Sequence, residues 1–222
     1  MKQITAFLLS VFILLACGHE KSAKLTIAAA ANVQFAMEEL TEQFAKKTGV
    51  ECHAIHSSSG KLTAQIKEGA PYDLFISANM KYPDELHQSG LTTDPAKPYA
   101  YGKLVLWTMM DEILSDELDI QKLADNHSVK HLAIANPKTA PYGEAAVEAF
   151  HFYNLYDALQ PKLVFGESIS QVNQFVLSKT AEVGITAMSV VLSPKIKDQG
   201  HWAEVPQESY TPIAQGCQKR RQ

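Results

Sequence analysis

The stretch "HSSSGKLTAQI", His56 to Ile66, places three serines, a glycine and a lysine directly before a helical pattern. A phosphate-binding loop of the nucleotide type needs glycine where Ile55 stands and Ser or Thr where Leu62 stands, so that reading fails at both ends. The chemistry that remains is that of hydroxyls and unpaired amides at a helix start. Three further stretches share it: Ala30-Ala31-Asn32, "NPKTAPYGE" with Pro141 suited to a first helical turn, and "GESISQ" from Gly166 to Gln171. Each leaves backbone N–H groups without intrahelical acceptors at an end where the macrodipole favours negative charge. Ser59 and Asn32 add neutral side-chain donors, with Ser58 beside them, and Gly60 permits close backbone approach. Together they suit a small, fully ionised oxyanion. Each stretch taken singly also fits an ordinary helix cap worth about 1 kcal/mol. Glu144 and Glu167 fit first-turn dipole partners, and Lys61 fits either a solvated lysine or a weak long-range attraction for an anion.

Other chemistry is less well served. Cys52, His53 and His56 suggest a metal, but strand alternation puts Cys52 and His56 on one face and His53 on the other. Tyr153 and Tyr156, three apart on one expected helix, would suit a ferric site, although core packing accounts for them better. No G-x-S-x-G or H-E-x-x-H pattern is present, and His53 and His56 do not point together toward Ser59, so no enzyme is expected.

The chain has 222 residues, 46% hydrophobic and 20% charged, with a formal net charge of -4. This excludes a basic nucleic-acid-binding surface and fits one or two α/β units. Its arginines are Arg220 and Arg221, so an anion held by the body of the chain must do without the usual guanidinium fork. The start, "MKQITAFLLSVFILLACGHE", has one early lysine and an apolar run too short to span a bilayer, which reads as an export signal. Leu14-Leu15-Ala16-Cys17 resembles a lipobox, which would make Cys17 the lipidated mature N-terminus; simple cleavage near Gly18 is the alternative.

The elements that must position these loops alternate. "KLTIAAA", "VECHAIH" and "YDLFISA" read as strands, each followed by a helical pattern closed at Gly49, Gly69 and Gly90. "YGKLVLWTM" opens a second series, followed by a polar helical stretch over Leu118–Ala124, strand "VKHLAIA", helix "YGEAAVEAFHFYNL", strand "KLVFG", helix "ISQVNQFVLS", strand "EVGITAM" and a last strand near "HWAEVP". Regular alternation predicts mostly parallel sheets with helices on both faces, and "TTDPAKPYAYG" is the expected domain crossing. In such sheets ligands sit beyond the carboxyl ends of the strands, where all four helix starts fall.

"LTIAAAANVQFAMEEL", "SSSGKLTAQIKEGAPYDLFISAN", "NPKTAPYGEAA", "GESISQV" and "EVGITAMS" together resemble the periplasmic molybdate-binding proteins of bacterial ABC importers, in the same order from about Leu25 to Gly216. The resemblance implies a class II periplasmic-binding-protein fold: two α/β domains with mostly parallel sheets around a ligand cleft. Residues 24–100 and 203–222 would form domain 1 and residues 101–202 domain 2, after a leader and tether over 1–23. It implies molybdate or tungstate held through its oxygens by Ala31, Asn32, Ser59, Tyr142 and Ile169, with Ser58, Gly60 and Gly143 in support. No residue would bond the metal directly and no cofactor is implied. The implied partner is a membrane permease, and the implied state a monomer in the periplasm or cell envelope. Sulfate, phosphate or ferric ion are the alternative ligands; phosphate sites usually need an acceptor carboxylate for a bound proton. Two departures stand out. Some members carry a tyrosine ligand where Ala187 stands here. Members also continue past "PIAQG" with a strand and a long helix packed on the first domain, whereas this chain ends "CQKRRQ". The expectation is an uncovered apolar surface, low stability and weak binding.

Overall fold

The computed structural model describes residues 24–113 and 118–221. Cys17 and the expected leader lie outside them. Strand β1 (Lys24–Ala30) runs into a single 3₁₀ turn and then helix α1 (Gln34–Thr48), which stops at Gly49 in the left-handed region at φ 73°. Strand β2 (Glu51–Ser57), helix α2 (Ser59–Lys67), strand β3 (Leu74–Ile76) and helix α3 (Lys81–Gln88) follow. Strand β4 (Lys97–Gly102) and strand β5 (Leu104–Thr108) are separated only by Lys103, yet belong to different sheets. The second series is strand β6 (Leu132–Ala135), helix α4 (Pro141–Phe152), the short helix α5 (Tyr156–Leu159), strand β7 (Leu163–Gly166), helix α6 (Ile169–Leu177), strand β8 (Val183–Ala187), the one-turn helix α7 (Met188–Val191) and strand β9 (His201–Glu204). Strand β10 (Ile213–Lys219) then returns to the first sheet.

The sheets have the orders β2-β1-β3-β10-β4 and β7-β6-β8-β5-β9. In the first, β1 is parallel to β2 and β3, and β10 is antiparallel to both its neighbours. In the second, β6 is parallel to β7 and β8, and β5 is antiparallel to both of its neighbours. Each sheet therefore has one reversed strand, and that strand is the one arriving from the other sheet. The sheets are mixed, with the remaining strands aligned as the βα alternation predicted.

Side-chain alternation on β1 feeds both faces of the first sheet. Ala28 packs with Leu62, Ile66, Phe75 and Leu86 beneath α2 and α3, whereas Ile27 and Ala29 pack with Met37 of α1. The α1 side is the thinner of the two. It carries an open apolar groove of about 230 Å³ lined by Val33, Met37, Leu40, Ile76, Tyr99 and Cys217, and Leu40 and Phe44 are exposed. The second sheet is buried deeply on both faces: all five residues of β5 and of β8 are buried.

Several local expectations are corrected. Half of "TTDPAKPYAYG" is strand β4, because β10 supplies it with a partner; as an edge strand it tolerates Pro98. The helix expected to run to Leu155 ends at Phe152, and Asn154 takes φ 56°, so Tyr153 and Tyr156 do not share a helix. The polar stretch before β6 is one 3₁₀ turn, Ile120–Lys122, with Ile120 and Leu123 buried. Ala203 and Glu204 pair with β5, so the return to the first sheet comes after them rather than at 203. Cys217, Gln218 and Lys219, beyond Gly216, continue β10 and pair with β3.

Candidate oxyanion-binding site

The carboxyl ends of β1, β2 and β6 and the loop after β7 meet between the two sheets at a small pocket. Ala31, Asn32, Ser59, Tyr142 and Ile169 all line it, together with Ser58, Ala30, Ala78, Ala140 and Pro141. The four stretches picked out by residue type are thus brought to one place. Two of the supporting residues are not in the lining. Gly143 packs α4 on β6, where a Cβ would lie 2.0 Å from the Ala135 carbonyl oxygen. Gly60 donates its N–H to the Thr139 carbonyl oxygen (2.9 Å), and a Cβ there would meet Tyr82 Oη at 2.7 Å. It permits approach of one lobe to the other, not of backbone to an ion. Ala187 is fully buried on β8 and does not reach the lining.

The capping alternative fails at every one of these starts. Ser58 stands at the N-cap of α2 and Ser168 at that of α6, and neither side chain makes a cap hydrogen bond; Ala30 and Ala140 hold the other two positions. The N–H groups of Ser59, Tyr142 and Ile169 are in first turns, where no intrahelical acceptor exists, and among the described residues no turn or loop carbonyl takes them.

The side chains are equally prepared to donate. Ser59 is fully buried, and its Oγ accepts the Ala78 N–H at 2.9 Å, which leaves its own O–H to point elsewhere. Ser58 Oγ is buried without any partner. Asn32, 2% exposed, donates through Nδ2 to Gln215 Oε1 at 2.9 Å, while Ser189 Oγ donates to its backbone carbonyl at 2.7 Å. Burial holds the Tyr142 hydroxyl well above the usual phenol range, so it stays protonated.

No charged side chain enters the lining. Lys61, the cation offered by the sequence, pairs at 2.6 Å with Glu167 of the opposite lobe, and both are solvent-exposed. No group of three or more His, Cys, Asp or Glu residues suited to a metal ion occurs among the described residues. The cavity therefore offers hydrogen-bond donors, helix N-termini and neutrality, which is what a buried anion with only acceptor oxygens requires.

A family model for bacterial extracellular solute-binding proteins matches residues 25–218. The chain belongs to that family. This solute-binding protein is 38% identical over 203 residues to the molybdate-binding protein ModA of Azotobacter vinelandii, covering 91% of this chain and 79% of that one. It is 38% identical over 189 residues to ModA of Rhodobacter capsulatus, covering 85% and 72%. Among solved structures, the periplasmic molybdate-binding protein of Azotobacter vinelandii superposes with a TM-score of 0.82 at 33% identity, over 88% of this chain and 85% of that one. The two-lobed solute-binding fold expected from the sequence is the fold observed.

Gln215 and Tyr99 were missed by the sequence reading. Gln215 is one polar residue in an otherwise ordinary strand, and Tyr99 lies in a segment expected to be loop. Neither carries a signal by type or spacing.

Proposed function

We propose that this protein captures molybdate or tungstate for an ABC importer, holding the dianion by Asn32, Ser59, Tyr142 and Ile169, with Ala31 in contact and Ser58 as an additional donor. The observation that carries this is a pocket lined by donors with neither a cation nor a carboxylate. Molybdate at neutral pH has no proton to donate, so donors alone suffice. A singly protonated phosphate needs an acceptor carboxylate, and a ferric ion needs anionic ligands; the lining offers neither. Similarity to two molybdate-binding proteins supports the same ligand. Sulfate is the closer rival, and size separates it: donors fixed for the larger ion fall short of the smaller one's oxygens.

The rest follows from that role. The protein binds without transforming its ligand, needs no cofactor, acts as a monomer and delivers the ion to a membrane permease. Its lobes divide at Lys103 and again between β9 and β10. The apolar leader directs export, with lipidation of Cys17 as the anchor; among the described residues no helix is long and apolar enough to cross a membrane. Calorimetric titration of the purified protein with molybdate, tungstate, sulfate and phosphate tests the ligand. Tight molybdate and tungstate binding with far weaker sulfate is expected, and sulfate binding as tight as molybdate would overturn the assignment.

A further inference from the structure

Behind the cavity lies a buried hydrogen-bond junction that none of the four ligand loops explains. Gln215 is 5% exposed and sits on β10, the strand that enters the first sheet from the second. Its Oε1 accepts two hydrogens, one from Asn32 Nδ2 at 2.9 Å and one from Tyr99 Oη at 2.9 Å. Its Nε2 faces Tyr142 Oη at 3.5 Å. The strand register shifts between Gln215 and Gly216, and a bulge of this kind re-aims the side chain beside it. Tyr99 is on β4, the strand that leaves the first sheet immediately before the crossing at Lys103. Against the same junction lies Gly102, where a Cβ would stand 2.2 Å from Tyr142 Oη. One carboxamide thus touches a donor of the first lobe, a residue of the outgoing crossing strand and a residue of the second lobe's helix start.

We infer that Gln215 is a positioning residue that sets the affinity and ion-size selectivity of the oxyanion site by fixing the Asn32 amide. The inference rests on the oxyanion reading of the cavity. Asn32 has two ends of opposite character: a nitrogen that attracts an anion and an oxygen that repels it. Asn32 Oδ1 is buried without a hydrogen-bond partner, so local bonding to that oxygen does not set the amide's orientation. The acceptor at Gln215 does. By holding one Nδ2 hydrogen, Oε1 fixes the amide nitrogen beside the Tyr142 hydroxyl, on the pocket that both residues line. Tyr99, by occupying the other lone pair of Oε1, keeps Gln215 from rotating its own nitrogen toward Asn32. Without this clamp Asn32 can turn its oxygen inward or move toward a smaller ion. Molybdate binding then weakens and discrimination against sulfate narrows.

The test uses the full protein and the variants Gln215→Met, of similar volume without hydrogen-bonding groups, Tyr99→Phe, Asn32→Ala, and Gln215→Met combined with Asn32→Ala. Molybdate and sulfate affinities are measured by calorimetry, and the melting temperature is taken without ligand. Gln215→Met is expected to weaken molybdate about tenfold, the scale of one well-placed hydrogen bond, and to shrink the molybdate-to-sulfate ratio. Tyr99→Phe should produce the same narrowing more mildly. In the Asn32→Ala background, Gln215→Met should change molybdate affinity less than about twofold, because the group it positions is gone. An equal loss in both backgrounds, or an unchanged ion ratio in Tyr99→Phe with a native melting temperature, would overturn the inference. Failure of the unaltered protein to bind molybdate would instead overturn the oxyanion reading, and this inference with it.

Discussion

Ser58 and Ser59 are adjacent and buried, and they make separable predictions. Ser59 Oγ is anchored by the Ala78 N–H, so Ser59→Ala removes both an anion donor and a structural acceptor. Molybdate affinity should fall about tenfold or more, corresponding to roughly 1.5–3 kcal/mol, with some loss of ligand-free stability. Ser58 caps nothing and has no partner, so Ser58→Ala should weaken binding while leaving the ligand-free melting temperature unchanged. A melting temperature lowered as by a lost cap, with affinity intact, would contradict it. His56 supplies the pH dependence. Burial lowers its folded-state pKa below the ordinary value of 6.5, outweighing the attraction of Glu38, and Nδ1 has no hydrogen-bond partner. The unfolded chain therefore takes up the proton first, so stability is full above about 6.5 and declines as pH falls from there toward the lowered folded value. Denaturant titrations at pH 7 and pH 5 should show this loss, and His56→Gln should reduce it. At this scale the sequence revealed the loops that line the pocket because small polar residues preceding helices have a local meaning. Gln215 had none, since its importance lies in residues 116 and 183 positions away.

Elements were legible where local pattern and tertiary context agree. The three helices of the first lobe end near Gly49, Gly69 and Gly90, all at positive φ, as the glycine spacing indicates. Strand β4 was not legible, because Pro98 and neighbouring polar residues read as loop until β10 pairs with them. The end of α4 was overshot because "FHFYNL" continues the apolar spacing, and only Asn154 in the left-handed region stops it. The start of α2 also shows how an element's packing governs function. Gly60 lies where α2 meets the Thr139 loop of the second lobe, and the first obstacles to a Cβ are Tyr82 Oη and two backbone atoms of Thr139. Gly60→Ala should leave the ligand-free protein stable, since alanine favours helix. It should nevertheless weaken molybdate binding about tenfold or more by holding the lobes apart, which calorimetry with small-angle scattering of the liganded form would detect. Native affinity with a native scattering profile would contradict this.

On the scale of the whole molecule, the two sheets share one topology, each completed by a reversed strand donated by the other half of the chain. The lobes meet through Lys61–Glu167, Lys195–Glu38, the Ser170 hydroxyl on Gln34 and the Ser189 hydroxyl on the Asn32 carbonyl. The exposed ion pairs contribute little each. The contacts of Asn32 with Gln215 and Ser189 lie at the pocket itself. Alternation of strands and helices made the two-lobed architecture readable, whereas strand order depended on pairings between residues far apart in sequence, such as Ile76 with Cys217 and Leu106 with Ile185. The central claim is that these helix starts hold a tetrahedral dianion by neutral donors alone. The measurement that tests it most directly is a crystal structure of the molybdate-soaked protein with anomalous scattering recorded at the molybdenum edge. The account predicts one strong peak between Asn32, Ser59, Tyr142 and Ile169, with oxygens within hydrogen-bond distance of their donors and no lysine or arginine in contact. A peak elsewhere, or one coordinated by a cationic side chain, would contradict it.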